Sequence, residues 1–166
     1  MRFRVFNLLG LWCRQRFLQS KLIALIVCFG AFADVESAVK SQYDRCLEAT
    51  SLKYLDGIYC IRAPGFRLFN PDGLLLDLSV ERNRMEQFLA PAISVKETYA
   101  IQSFQVLSEE RVRCVVLYTT RAVLPNRLTG KLDEFLMRTK CVDDWLRTKK
   151  GWLLSQTRVI EQDYQR

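Results

Sequence analysis

The sequence predicts an α+β domain with its helices first and an antiparallel sheet last. Three observations carry this. Apolar residues recur at helical spacing up to about residue 90, and at two-residue spacing from Ile93 onward. A strong turn signal, Asn70-Pro71-Asp72-Gly73, lies between the helical stretches. The 166 residues carry only 7 glycines and 4 prolines, which suits one globular domain without a linker or low-complexity tract.

The elements follow in order. Asp34 is the expected N-cap of a first helix, whose stripe is Val35, Val39, Tyr43 and Cys46, widened by Leu47. Thr50-Ser51 interrupts it, and Ser51 caps a shorter helix through Leu52, Leu55 and Ile58, weakened at its end by Gly57. Ala63-Pro64-Gly65 breaks the chain. Phe66–Phe69 and Leu74–Leu78 read as the two strands of a small hairpin over 66–78. Ser79 then caps a helix with Val80, Met85, Phe88 and Leu89 on one side, and Pro91 closes it. Strands are expected near 94–107, 111–124, 131–147 and 152–161. Helices followed by a meander define the α+β arrangement.

The two middle strands can be set in register. With Arg127 and Leu128 flanking the turn centre, paired residue numbers sum to 255. Cys114 then faces Cys141, Val116 faces Thr139, Tyr118 faces Met137, and Arg121 meets Glu134 on the opposite face. The face with Val116, Tyr118, Phe135, Met137, Cys141 and Trp145 is the more apolar and is assigned to the interior. The same register makes Cys114 and Cys141 a candidate cross-strand disulfide in an oxidising compartment.

The net charge of +7 is concentrated at one end. Residues 1–33 hold five basic residues and no acid, leaving 20 basic and 18 acidic residues in 34–166. A body so near neutrality is no nucleic-acid binder by bulk charge. The basic stretch ends at Lys21 and is followed by twelve apolar residues, Leu22–Ala33, closing in Ala31-Phe32-Ala33. That is the pattern of a cleaved export signal, short of the roughly 20 residues that span a bilayer. The expected location is periplasmic or extracellular. The alternative is an uncleaved inner-membrane anchor, with residues 1–33 as the only membrane contact.

Histidine is absent, which removes Ser-His and Cys-His nucleophile pairs and imidazole acid–base chemistry. The cysteines show no C-x-x-C spacing, so no metal is expected. No Gly-rich phosphate cradle is present, and no cofactor is expected.

Ala63-Pro64-Gly65-Phe66, then Asn70-Pro71-Asp72-Gly73 ahead of a helix, then the hairpin Trp145-Leu146-Arg147-Thr148-Lys149-Lys150-Gly151-Trp152 occur in an order that resembles the nuclear transport factor 2-like superfamily, in its SnoaL-like branch. The likeness covers about 36–162. It implies a curved sheet wrapped by helices into a cone with an apolar pocket, and dimers through the sheet. It does not fix function, because the superfamily holds both enzymes and binding domains.

Catalytic relatives often pair a carboxylate with a histidine, and that dyad cannot form here. A ketosteroid-isomerase-like site needs only a carboxylate and a tyrosine or acid donor in an apolar pocket. Asp56, Asp77, Glu97 and Asp143 are the candidate carboxylates, and no motif selects among them. Asp143 lies two residues before Trp145, so the two share a sheet face. This makes Asp143 the candidate desolvated acid, although a solvated place at the rim of the cone is the simpler expectation. Tyr54, Tyr59, Phe66, Phe88, Val116, Tyr118, Met137 and Trp145 are the candidate pocket lining.

Two functions of different class follow. One is an exported, non-catalytic domain that binds a hydrophobic small molecule or serves as an accessory. The other is a cofactor-independent isomerase, cyclase or dehydratase acting on a hydrophobic carbonyl compound. A buried carboxylate within hydrogen-bond reach of a tyrosine favours the enzyme, and an apolar cavity without an ionisable group favours binding.

Overall fold

A computed structural model describes residues 34–126 and 128–165. The chain parts into two compact units, Met1–Ser37 and Ala38–Arg166. Of the first, only 34–37 are described, and they are helical. The expected export signal, 1–33, lies outside the described residues.

Helix α1 covers 34–51. Its stripe is as the spacing predicts, with Val39 and Tyr43 0% and 1% exposed. Its end is a Schellman motif: Tyr54 N–H donates to Ala49 O at 2.8 Å and Lys53 N–H to Thr50 O at 3.0 Å. Lys53 takes the left-handed position, φ 55°, that glycine usually fills. Helix α2, Leu55–Tyr59, follows. Gly57 serves close approach there, because a Cβ would stand 2.7 Å from Ala49 Cβ.

The first departure from expectation is strand β1, which runs Arg62–Phe69, straight through Ala63-Pro64-Gly65. Its pairing with the last strand skips between Arg62↔Leu154 and Arg67↔Gln156, so the Pro-Gly step is carried in a bulge, with Gly65 at φ +75°. An edge strand tolerates the proline because it has a free side. The hairpin is reduced as well. Asn70 Oδ1 accepts Leu74 N–H at 2.8 Å and closes the turn, but beyond it only the bridge Phe69↔Leu75 forms. Leu74 and Leu75 are exposed, so no buried face extends the pairing. Helix α3, Leu78–Leu89, is capped by Asp77 rather than Ser79: Asp77 Oδ1 accepts Ser79 N–H at 2.8 Å.

Strands β2 (Ser94–Ser108), β3 (Arg111–Pro125), β4 (Leu132–Thr148) and β5 (Gly151–Gln165) form the expected meander. The sheet order is β1-β5-β4-β3-β2, with β1 parallel to β5. Bulges interrupt β2–β3 pairing between Ile101 and Ser103, and β4–β5 pairing at Lys140/Cys141 and Asp144/Trp145. Bulges of this kind add bend and twist to long strands.

The β3–β4 register differs from the expected one by two. Observed pairs sum to 257: Val116 faces Cys141, Tyr118 faces Thr139, and Arg121 faces Leu136. The turn explains the shift. Asn126 Oδ1 accepts the N–H groups of Leu128 and Thr129 at 2.9 and 3.1 Å, and Gly130 takes φ +70°, so the turn centres one residue later. A shift of two preserves the faces. The inward set therefore holds, but its partners change: Cys114 faces Asp143, and Glu134 faces Val123 rather than Arg121. Cys114 and Cys141 become diagonal neighbours with no disulfide between them, which corrects the disulfide expectation.

Among the described residues, two groups of buried side chains lie against the inner face of the sheet. One is built on Trp145, Tyr43, Val39, Val112 and Val116, all fully buried. The other gathers Ala49, Ile58, Leu89, Ala92, Val95 and Ala122, with Phe88 and Phe135 edge-to-face at 5.5 Å.

Candidate functional site

The inner face of β4 carries Asp143 and Trp145 side by side, as their two-residue spacing requires. Asp143 is 0% exposed, so it lies in the core and not at the rim. A carboxylate in such a place must be hydrogen-bonded. Tyr43 on α1 and Tyr118 on β3 both donate their hydroxyls to Asp143 Oδ2, at 2.9 and 2.7 Å. Thr157 on β5 donates to Oδ1 at 2.7 Å. Trp145 Nε1–H in turn donates to the Tyr43 hydroxyl at 2.9 Å. The rings pack around this chain, with Tyr43 at 4.9 Å from Trp145 and 5.0 Å from Tyr99.

Thr157 reaches Asp143 because of a bulge. Trp145 pairs with Leu154 while Asp144 pairs with Gln156, so Ser155 is the extra residue on β5. Simple alternation from Trp152 and Leu154 would turn Thr157 outward; the inserted residue resets the phase and brings it in. No sequence signal marks that bulge, and Thr157 was not foreseen. Tyr43 was legible as a core position of α1, but not as a partner of Asp143.

Burial raises the Asp143 carboxyl above its ordinary value, while the hydroxyls of Thr157, Tyr118 and Tyr43 pull the other way. Burial, and then the neighbouring carboxylate, drives both tyrosine hydroxyls upward, so they remain protonated donors. A second acid, Glu97 on β2, is raised by burial and accepts from Thr120 Oγ1 at 2.8 Å. Cys46, nearby on α1, is pushed up to about 12 by burial.

The expected lining residues are distributed over several places. Tyr118 donates to Asp143, Trp145 shares its face of β4, and Val116 is buried on β3 opposite Cys141. Met137 sits farther along β4, its Sδ accepting from Gln162 Nε2 at 3.2 Å. Phe88 packs in the second core. Tyr59 donates to Glu81 and lies under the Arg62 guanidinium at 3.9 Å, and Phe66 flanks the same guanidinium at 4.5 Å. Tyr54 is 59% exposed beside the α1–α2 turn. Of the other candidate acids, Asp77 caps α3 and Asp56 pairs with Arg82 at 2.6 Å on the surface.

Outside this interior, a solvent-reached groove of about 710 Å3 lies between α1, the α2–β1 junction and the β4–β5 turn. It is lined by Arg45, Arg62, Lys149 and Lys150 among others, and among the described residues no carboxylate lines it. None of the eight expected lining residues borders it.

No family profile matches the chain, and no curated protein matches it. Solved structures do share the fold. A candidate scytalone dehydratase from Novosphingobium aromaticivorans superposes with a TM-score of 0.66 at 6% identity, over 81% of this chain and 90% of that one. A hexachlorocyclohexane dehydrochlorinase (LinA type 2) gives 0.62 at 9% identity, over 82% and 92%. A candidate dehydratase of the nuclear transport factor 2-like family from Streptomyces avermitilis gives 0.59 at 11% identity, over 76% and 96%. At such identities the likeness is one of fold.

Proposed function

Starting from a chain with the nuclear transport factor 2-like fold, we propose that it is a non-catalytic domain that binds a small molecule. The observation that carries this is the closure of Asp143. Its carboxylate is 0% exposed, and both oxygens are occupied by internal hydroxyls. An acid or base must come within hydrogen-bond reach of the proton it transfers. Here the reach is filled by Tyr43, Tyr118 and Thr157, and no buried side-chain polar atom among the described residues lacks a partner. A fully satisfied network of this type specifies a core. Among the described residues, those lining the solvent-reached groove include cations and no carboxylate to act as base.

Native mass spectrometry of the protein recovered under mild conditions tests the reading. A bound small molecule, retained unchanged by wild type and by Asp143→Asn, is expected. A product mass that accumulates with wild type and not with the variant would overturn it. The basic, apolar and small-residue order of 1–33 supports export as part of the proposal, and N-terminal sequencing from the native host should begin near Asp34.

The feature named from the sequence as favouring an enzyme, a buried carboxylate within reach of a tyrosine, is met by two tyrosine hydroxyls on Asp143 and supports a second reading. That pairing suits isomerisation or dehydration of a hydrophobic carbonyl compound, and two of the structures of like fold are named as dehydratases. It requires the helical cover carrying Tyr43 to open.

A further inference from the structure

The basic groove supplies the ligand class that the binding reading leaves open, and the inference rests on that reading. Four cations border the groove: Arg45 on α1, Arg62 at the start of β1, and Lys149 and Lys150 in the β4–β5 turn. Arg62 is already committed. It meets Glu81 at 3.3 Å and lies between the rings of Tyr59 and Phe66. Arg45 donates to Gln42 Oε1 at 3.3 Å and faces Cys60 Sγ at 3.9 Å. Among the described residues, no carboxylate pairs with Arg45, Lys149 or Lys150.

The turn that carries the lysines is fixed by its own bonds. Thr148 Oγ1 accepts Lys150 N–H at 3.1 Å and donates to Gly151 O at 2.8 Å, and Gly151 takes φ +99°. The turn therefore sets both lysines at the border of the groove that Arg45 also lines, so an anion there would meet cations of one sign. The body of the chain is close to neutral, with 20 basic and 18 acidic residues in 34–166, so this positive field is local. Pro64 and Leu153 give the groove an apolar wall.

We propose that the groove binds an anionic small molecule, with its carboxylate or phosphate group among Arg45, Lys149 and Lys150 and its apolar part against Pro64 and Leu153. The groove carries its own reporter. Cys60 is exposed and lines it, whereas Cys114 and Cys141 are buried.

The experiment measures thiol labelling of Cys60 in the full chain, resolved by peptide mass spectrometry. An anionic sulfonatoethyl and a cationic trimethylammonioethyl methanethiosulfonate are compared, each normalised to its rate on the unfolded chain. The anionic reagent should be favoured by roughly tenfold, as expected of a cleft lined by one sign of charge. The triple variant Arg45→Gln, Lys149→Gln, Lys150→Gln should lose that preference. In a second arm, octyl phosphate should slow labelling by neutral N-ethylmaleimide, and octyl glucoside should not. The wild-type arms stand whether or not the triple variant folds. Equal protection by octyl phosphate and octyl glucoside would keep the binding reading and overturn the anionic class. No protection by either, with no charge preference, would overturn the groove as the site, while the binding reading is decided separately by the ligand seen in native mass spectrometry. Protection by phosphatidylglycerol vesicles but not by octyl phosphate would move the site to a lipid surface and overturn the small-molecule proposal.

Discussion

Tyr43 on the first helix donates its hydroxyl to Asp143 on the fourth strand at 2.9 Å, across 100 residues of sequence. The same oxygen accepts from Trp145 Nε1 at 2.9 Å, so one atom joins the helix to two neighbouring positions of the sheet. The bond closes the interior at its helical side. It also converts a buried carboxylate, which alone would oppose folding, into a specific tie between α1 and β4.

Tyr43→Phe keeps the ring and removes that oxygen. Asp143 then loses one of its three donors, and the Trp145 N–H loses its acceptor. The loss should be about 1–3 kcal/mol, the cost of leaving buried polar groups unpaired. Urea denaturation measures it, and a change within about 0.5 kcal/mol, the scatter typical of surface substitutions, would show the tie to be inert.

The pH dependence of stability should have the opposite slope from that of a salt-bridged acid. Burial raises Asp143 above its unfolded value of about 3.9, so the folded chain holds this proton more tightly than the unfolded chain. Its contribution is full below that value and is lost as pH rises through the folded pKa. Glu97, also raised by burial, acts with the same sign. Melting temperature followed upward from about pH 4 should therefore decline more steeply in wild type than in Asp143→Asn. Parallel profiles would remove Asp143 as the source.

Gly57→Ala should destabilise the fold by about 1–3 kcal/mol, the usual cost of overpacking. The added methyl would stand 2.5 Å from Tyr54 Cδ1 and 2.7 Å from Ala49 Cβ. Tyr54 is exposed and can swing away, but Ala49 is buried on the neighbouring helix. Thermal denaturation checks this, and an unchanged midpoint would show that α1 and α2 separate freely.

The sheet register can be tested with a thiol. Val116 faces Cys141 directly, and facing Cα atoms are about 4.5–5.5 Å apart, within disulfide range. Oxidative refolding of Val116→Cys should link the introduced thiol to Cys141, as read by a non-reducing peptide map. The native chain should show no bond between Cys114 and Cys141, which are diagonal and about 7–8 Å apart. A native bond between those two would restore the register that sums to 255.

Much of the fold was legible because periodicity reports burial. Val39 and Tyr43 on α1, the inward set on β3 and β4, and the shared face of Asp143 and Trp145 all follow from spacing. What failed depended on single extra residues. The bulge at Ser155 turns Thr157 inward, and the Asn126 side chain moves the β3–β4 turn by one position. Alternation counts cannot see either, because both are set by hydrogen bonds off the strand pattern. The rim placement of Asp143 failed for a different reason: the three hydroxyls that make its burial tolerable come from α1, β3 and β5, and no local window contains them.

The central claim, that Asp143 serves the fold and not a reaction, is tested most directly by carbodiimide–amine labelling of carboxyl groups in the native protein. Asp56, on the surface, and Asp144, next in the chain and paired with Arg113 at 2.7 Å, are the internal controls. The account predicts that both are modified while Asp143 stays unlabelled until the protein unfolds, its protection following global stability across a urea series. Native-state labelling of Asp143 at a rate close to that of Asp144 would contradict it, and would return the tyrosine–carboxylate pair to the open floor of an active site.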